Sequence, residues 1–162
     1  MTPAERIHDI AVLRQNAIDY WHRVDREGGA GVSEMFVAEG TFHAGPGEPL
    51  VGREAIEAFY AWRRERGART SRHIVTNFHV AFDGERKART TCIMILYGTD
   101  GTPPHQGTGA AMVADMIDDC VKGEDGVWRY ARRDFTPLYM GGAELTVAPE
   151  ALTGGDRGIP SS

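Results

Sequence analysis

The spacing of apolar residues near the N-terminus predicts one long amphipathic helix. Thr2, Pro3 and Glu5 form a helix start, with a hydroxyl at the N-cap, proline at the first helical position and a glutamate that can return a hydrogen bond to the cap. Apolar residues then recur at three- and four-residue steps to about Asp25, and the two glycines at 28–29 are expected to end the helix. The residues of this stripe are Ile7, Ile10, Leu13, Ala17, Trp21 and Val24.

Further along the chain, the pattern changes from helical to alternating. From Ser71 onward the apolar period is two, which is typical of a strand, and Asp83 followed by Gly84 indicates a hairpin turn. Helices followed by an antiparallel meander predict an α+β fold, in which the helices pack across one face of a curved sheet and leave an apolar hollow. The other predicted elements are a short helix at 32–37, a strand at 40–44, a helix at 50–60, and strands at 85–97, 107–121 and 127–135.

Composition limits the classes of protein to consider. The chain has 162 residues, 41% hydrophobic and 25% charged, which is typical of one globular domain, assigned here to 1–140 with 141–162 as a tail or pocket flap. A net charge of -5 disfavours binding to nucleic acid or to anionic lipid. No apolar run approaches the roughly 18 residues of a membrane span, and the N-terminus has no leader pattern, so we expect a cytoplasmic protein.

Asp25 and His73 are the strongest candidates for chemistry. Asp25 lies one helical turn beyond Trp21, so its side chain is expected on the inward side of the helix, although capping of the glycine turn or pairing in solvent is an equal alternative. His73 begins the first long strand, on a face that the alternation shares with Asn77. If the two side chains meet, the carboxylate orients the imidazole as a general base; otherwise His73 is a polar residue at a strand end.

The other candidates are ligand contacts. The histidines form no HExxH motif, and no GxSxG or phosphate-binding loop occurs, so a metal site, a serine hydrolase and a nucleotide site are not favoured. The basic run from Arg63 to Arg72 is interpreted as a solvated helix end, with an anion site as the alternative. The predicted substrate-binding residues are Tyr20, Trp21, His43, Tyr60, Asn77 and Trp128, with packing in the core or on a sheet face as the alternative for the aromatic ones.

Four segments in order carry a resemblance that spans residues 4–139. They are the helix that ends at Asp25, the helix entry at 50–56, the strand start at 72–77 and the strand at 126–130. The layout resembles the SnoaL-like, nuclear transport factor 2-like superfamily, in the branch with scytalone dehydratase and hexachlorocyclohexane dehydrochlorinase. The resemblance implies a cone-shaped α+β barrel of the cystatin-like roll type, with a mostly antiparallel sheet wrapped around N-terminal helices.

In that branch the aspartate and the histidine act as a catalytic dyad without metal or organic cofactor, and the matching residues here are Asp25 and His73. The resemblance implies a lyase of the dehydratase type, or an isomerase, with a small hydrophobic aromatic, polyketide or steroid-like substrate, and Tyr20 or His43 as hydrogen-bond donors to it. Tyr20 stands where the dehydrochlorinase has a lysine, so the chemistry stays open. The alternatives are a polyketide cyclase, an epoxide hydrolase, or a noncatalytic binding protein or dioxygenase β-subunit-like protein. A homodimer or homotrimer through the outer sheet face is also implied.

Overall fold

Two α-helices cover one face of a curved six-stranded sheet in the computed structural model, which describes residues 1–43, 47–107 and 109–141. This arrangement confirms the predicted α+β fold of the cone-shaped, nuclear transport factor 2-like type. Except for Gly141, the predicted tail or flap lies outside the described residues, so its role as a lid stays a prediction. The elements are α1 (Pro3–Glu27), a 3₁₀ turn (Val32–Met35), β1 (Phe36–His43), β2 (Leu50–Val51), α2 (Arg53–Glu65), β3 (Arg69–Asp83), β4 (Lys87–Asp100), β5 (Met112–Lys122) and β6 (Trp128–Met140).

The sheet has the order β2-β1-β6-β5-β4-β3. The last four strands form the predicted antiparallel meander, while β1 pairs with β6 in parallel and with β2 antiparallel. Gly84 has a φ of 75°, a left-handed conformation that suits glycine in the hairpin between β3 and β4. The sheet is therefore mixed, with a single parallel pair among the described strands.

Helix α1 begins and ends at the residues that the sequence indicates. The Thr2 hydroxyl accepts a hydrogen bond from the Glu5 N–H, and the Glu5 carboxylate accepts one from the Thr2 N–H. Gly28 ends the helix in the left-handed conformation, with a φ of 62°. From Leu13 to Val24 the apolar stripe is buried, which fixes the side of α1 that carries Trp21.

The predicted short helix at 32–37 is wrong beyond its first turn. A single 3₁₀ turn ends at Met35, and Phe36 begins β1 instead. Phe36 is fully buried and pairs with Tyr130 of β6. Pairing with a strand almost a hundred residues away thus overrides the local helical pattern, because a buried aromatic side chain packs better on the sheet than in a short exposed helix.

A β-bulge interrupts the alternation of β3. Thr76 pairs with Ile93, but the next pair along the strand is His79 with Thr91, so β3 contains one extra residue at this point. Asn77 lies in the bulge with a φ of 54°. Asparagine tolerates this left-handed conformation better than other residues with a side chain, because its amide can bond locally.

The bulge reverses which side chains face the helices. The prediction that Asn77 shares a face with His73 is therefore wrong, and Asn77 is exposed. The alternating strand pattern holds on each side of the bulge but shifts by one residue across it. The more buried positions are Ser71, His73 and Val75 before the bulge and Phe78, Val80 and Phe82 after it.

A buried ion pair lies within the aromatic core. Arg133 donates from Nε and Nη2 to the two carboxylate oxygens of Asp118, both at 2.8 Å. Its guanidinium lies over the rings of Tyr20 and Tyr130, 4.1 and 4.0 Å from their centroids. The pair links β5 to β6 beneath the inner face of α1.

In the described residues, neither helix has the length and hydropathy needed to cross a membrane.

Candidate active site

Asp25 and His73 are in direct contact. The His73 Nδ1 lies 2.6 Å from Asp25 Oδ1, and the His73 backbone N–H donates to Asp25 Oδ2 at 2.8 Å. The Ser71 hydroxyl donates to Asp25 Oδ1 at 2.8 Å. The Asp25 and His73 side chains are only 9% and 6% exposed. The carboxylate thus points inward and accepts three hydrogen bonds from the first residues of β3.

Local structure holds this pair in place. Asp25 is in the last turn of α1, and Ser71 and His73 alternate on the inner face at the start of β3. The Trp21 indole, one helical turn before Asp25, stacks on the imidazole with 3.9 Å between ring centroids and 10° between planes. Because the ring is fixed by stacking on one face and by hydrogen bonding at one edge, it has little freedom to rotate.

The surroundings favour an ionised carboxylate beside a neutral imidazole. Burial acts to raise the pKa of Asp25, but hydrogen bonds from the ring and backbone of His73 and from Ser71 outweigh it and lower that pKa. Burial lowers the pKa of His73 despite the opposing hydrogen bond and charge of Asp25. An ionised carboxylate only accepts hydrogen bonds, so Nδ1 must carry the ring proton. The lone pair of the neutral imidazole is then on Nε2.

A mainly apolar cavity lies beside the dyad, and three of the predicted residues, Trp21, Tyr60 and His73, line it. A second, more polar hollow opens between α1 and β3, and Asp25 and His73 form part of its wall. The dyad therefore separates an apolar cavity from a polar cleft. The remaining lining of the apolar cavity is Val24, Phe42, Phe59, Arg63, Arg69, Met94, Leu96, Met112, Phe135 and Pro137.

Two of the predicted substrate contacts lie within the core, away from the cavity lining. Tyr20 is fully buried, and its hydroxyl is hydrogen-bonded to the hydroxyl of Tyr60, with 2.6 Å between the oxygens. Trp128 is buried against Phe82 and beneath the Lys122 ammonium group. The sequence identified both as inward-facing aromatics, but it could not show which part of the core each would fill.

His43 and Asn77 also lie outside the lining. His43 has a side chain that is 38% exposed, and its ring nitrogens bond Asp134 at 3.0 Å and the Gly47 carbonyl at 2.8 Å. The pairing of β1 with β6 directs it toward Asp134 rather than inward. The bulge described above accounts for Asn77, which is exposed. Direct contact of His43 or Asn77 with a substrate therefore has no support from the cavity lining and stays a prediction.

Two arginines in the lining were not among the predicted site residues. Arg63 is half-buried on α2, one turn beyond Tyr60, and Arg69 begins β3. The spacing of three residues from Tyr60 was a signal for Arg63, since Tyr60 was expected to face inward. The abundance of arginine around it favoured a solvated helix end instead. In the described residues, no group of three His, Cys, Asp or Glu side chains is suited to holding a metal ion.

Comparison with known proteins identifies the family. The model of the SnoaL-like domain matches residues 5–134, so the chain belongs to the SnoaL-like family. No curated protein gives a match. One similar solved structure is a protein from Novosphingobium aromaticivorans named as a candidate scytalone dehydratase, with a TM-score of 0.77 and 16% identity, covering 91% of this chain and 95% of that one.

Two further similar structures come from Streptomyces. ActVI-ORFA from Streptomyces coelicolor has a TM-score of 0.68 and 16% identity and covers 79% of this chain and 96% of its own. Aln2 from a Streptomyces strain has a TM-score of 0.68 and 22% identity and covers 85% of this chain and 93% of its own. At these identities the likeness establishes only the shared fold. Together with membership of the family, it indicates the type of fold found in small-molecule isomerases, dehydratases and cyclases.

Proposed function

We propose that this protein is a lyase of the dehydratase type, or an isomerase, in which His73 is the general base and Asp25 orients it. The observation that carries the proposal is the 2.6 Å contact between His73 Nδ1 and Asp25 Oδ1 in the wall of an apolar cavity. Membership of the SnoaL-like family supports small-molecule chemistry, and the neighbour named as a candidate scytalone dehydratase supports dehydration.

In the proposed reaction, His73 Nε2 takes a proton from a carbon next to a carbonyl or aryl group. The electrons of the broken C–H bond form a carbon–carbon double bond, and the bond to a hydroxyl group on the adjacent carbon breaks. The departing hydroxide receives the proton from the imidazolium and leaves as water. In an isomerase the same proton returns to a different carbon of the substrate. Asp25 stabilises the imidazolium between the two transfers.

The cavity lining favours a small, hydrophobic substrate with an aromatic or polyketide-like skeleton. Trp21, Phe42, Phe59 and Phe135 provide aromatic surface around His73. Apolar walls exclude water and strengthen the electrostatic contacts of the dyad with the reacting atoms. The Asp25 carboxylate can retain its charge there because Ser71 and His73 supply its hydrogen bonds.

Proton abstraction can be tested without knowing the natural substrate. A small ketone with a benzylic C–H next to its carbonyl, such as 2-tetralone, is incubated in deuterated water, and deuterium incorporation is followed by NMR. We expect exchange with the wild type and a loss of about 10²- to 10⁴-fold in the His73→Ala and His73→Gln variants, as for removal of a general base.

His79→Ala is the matched control, because His79 is an exposed histidine of the same strand on the other side of the bulge. This control should exchange deuterium at the wild-type rate. Equal exchange by wild type and the folded His73→Gln variant would contradict the role assigned to His73.

A further inference from the structure

The cavity lining contains a guanidinium that has no direct hydrogen-bond or ion-pair partner among the described residues. Arg63 lines the cavity beside Tyr60, and its guanidinium is close enough to Asp25 and His73 to influence both electrostatically. The neighbouring arginines have partners: Arg64 pairs with Glu57 at 2.9 Å, and Arg69 pairs with Asp100 at 2.6 Å. Across 1–43, 47–107 and 109–141, Arg63 forms neither an ion pair nor a hydrogen bond.

The Asp25 carboxylate is near Arg63 but already accepts hydrogen bonds from other residues. Its two oxygens accept the three hydrogen bonds from Ser71 and His73, and it forms no ion pair with Arg63. Arg69 is paired with Asp100, whereas Arg63 has only the through-space attraction of Asp25 and no direct acceptor for its N–H donors among the described residues. A cation removed from water in an apolar wall is costly unless an anion or a set of acceptors meets it.

Arg69 is a second arginine in the lining of the same cavity. The Nη2 atom of Arg69 lies next to Gly98 of β4, where a Cβ added to the glycine would come within 2.8 Å of it. Its Nε is buried and has no hydrogen-bond partner among the described residues. Glycine in β4 thus leaves room for the Arg69 guanidinium at the cavity, and the Nε–H donor of Arg69 is unused.

We propose that Arg63, assisted by Arg69, binds an oxyanion of the substrate, and that the pocket therefore takes an acidic aromatic or polyketide-like molecule. The oxyanion is a carboxylate or an ionised enol or phenol, both of which match the donors of a guanidinium. This inference rests on the proposed function in one respect: the molecule that carries the oxyanion is the one that loses a proton to His73.

Binding of matched probe pairs tests the proposal by calorimetry. The first pair is 2-naphthoate and its neutral analogue 2-naphthamide, and the second is 4-nitrophenol, at a mildly alkaline pH where it is ionised, and 4-nitroanisole. We expect wild type to prefer at least one anion over its neutral partner by about 10- to 100-fold, the range for charge-assisted hydrogen bonds. The first pair reports a carboxylate preference and the second an ionised hydroxyl preference.

Substitutions then locate the preference. Arg63→Gln should abolish it while leaving the affinity for the neutral probe unchanged, and Arg63→Lys should retain part of it. Arg64→Gln is the control, because it removes the same charge from the next residue of α2, where Arg64 is exposed and already paired with Glu57. It should leave the preference intact.

Two results would overturn the inference: a wild type that prefers neither anion, or an Arg63→Gln variant that keeps the wild-type preference. His73→Gln separates the inference from the proposed function, since it should lose deuterium exchange and keep the anion preference. Absence of exchange in wild type, with a preference that depends on Arg63, would contradict the dyad's role and leave the anion site standing.

Discussion

Replacement of Asp25 by asparagine tests the dyad through the position of one proton. In the wild type, Asp25 Oδ2 accepts the His73 backbone N–H, while Oδ1 accepts from the Ser71 hydroxyl and faces His73 Nδ1. The backbone N–H can only donate, so the amide oxygen of an asparagine must face it. The amide NH₂ then faces the hydroxyl of Ser71 and the imidazole of His73, both of which can become acceptors.

The imidazole of the Asp25→Asn variant is therefore expected to carry its proton on Nε2 instead of Nδ1. Nε2 then has no lone pair with which to accept a proton from a substrate. The variant also loses the attraction between the carboxylate and the imidazolium. At about 4 Å between charge centres and an effective dielectric constant of about 20, that attraction is about 4 kcal/mol. Its full loss in the transition state corresponds to a rate decrease of about 10³-fold.

Two-bond proton–nitrogen NMR correlations of the histidine rings identify the tautomer directly and need no substrate. We expect the Nδ1–H form for His73 in the wild type and the Nε2–H form in Asp25→Asn, with the exposed His79 unchanged in both. Deuterium exchange into the ketone probe should fall by about 10³-fold in the same variant. An Nε2–H tautomer in the wild type, or an unchanged tautomer and exchange rate in a folded Asp25→Asn, would refute the argument.

Two further predictions concern pH and stability. Because burial lowers the pKa of His73, the exchange rate should stay constant as the pH falls to 6.5, the ordinary pKa of histidine. The rate should decrease only at lower pH, where the imidazole becomes protonated. A pH–rate profile that declines above pH 6.5 would contradict the assignment. Asp118→Ala leaves the fully buried Arg133 without its ion-pair partner and should lower the free energy of unfolding by about 3 to 5 kcal/mol in urea titrations. The control Asp119→Ala removes a more exposed carboxylate paired with Arg89 and should cost less than about 1 kcal/mol; similar losses in the two variants would show that burial does not govern the effect.

Features that depend on neighbouring residues could be predicted from the sequence. The capping box of Thr2 and Glu5, the stop of α1 at Gly28 and the hairpin at Gly84 each follow from residues within a few positions of one another. The alternation of β3 was also visible. These features sufficed for the α+β fold, because local patterns determine most of the elements that form.

Features that depend on distant partners could not be predicted in this way. Residue 36 looked helical, and only its pairing with β6 makes it a strand residue. The bulge at Asn77 adds one residue and reverses the inward face of β3, which alternation alone cannot reveal. Tyr20 was expected to contact a ligand, but its hydroxyl is hydrogen-bonded to the Tyr60 hydroxyl within the core.

The sequence by itself determined most of the elements, the apolar face of α1 and, through the resemblance, the two residues of the candidate dyad. Tertiary structure decided that Asp25 faces His73 rather than solvent, and that Arg63 lines the cavity rather than ending a solvated helix. The physical reason is that the direction of a side chain follows from its own helix or strand, whereas its partners are supplied by segments 48 residues away, as for Asp25 and His73. Contacts across that distance form only when the sheet closes around the helices.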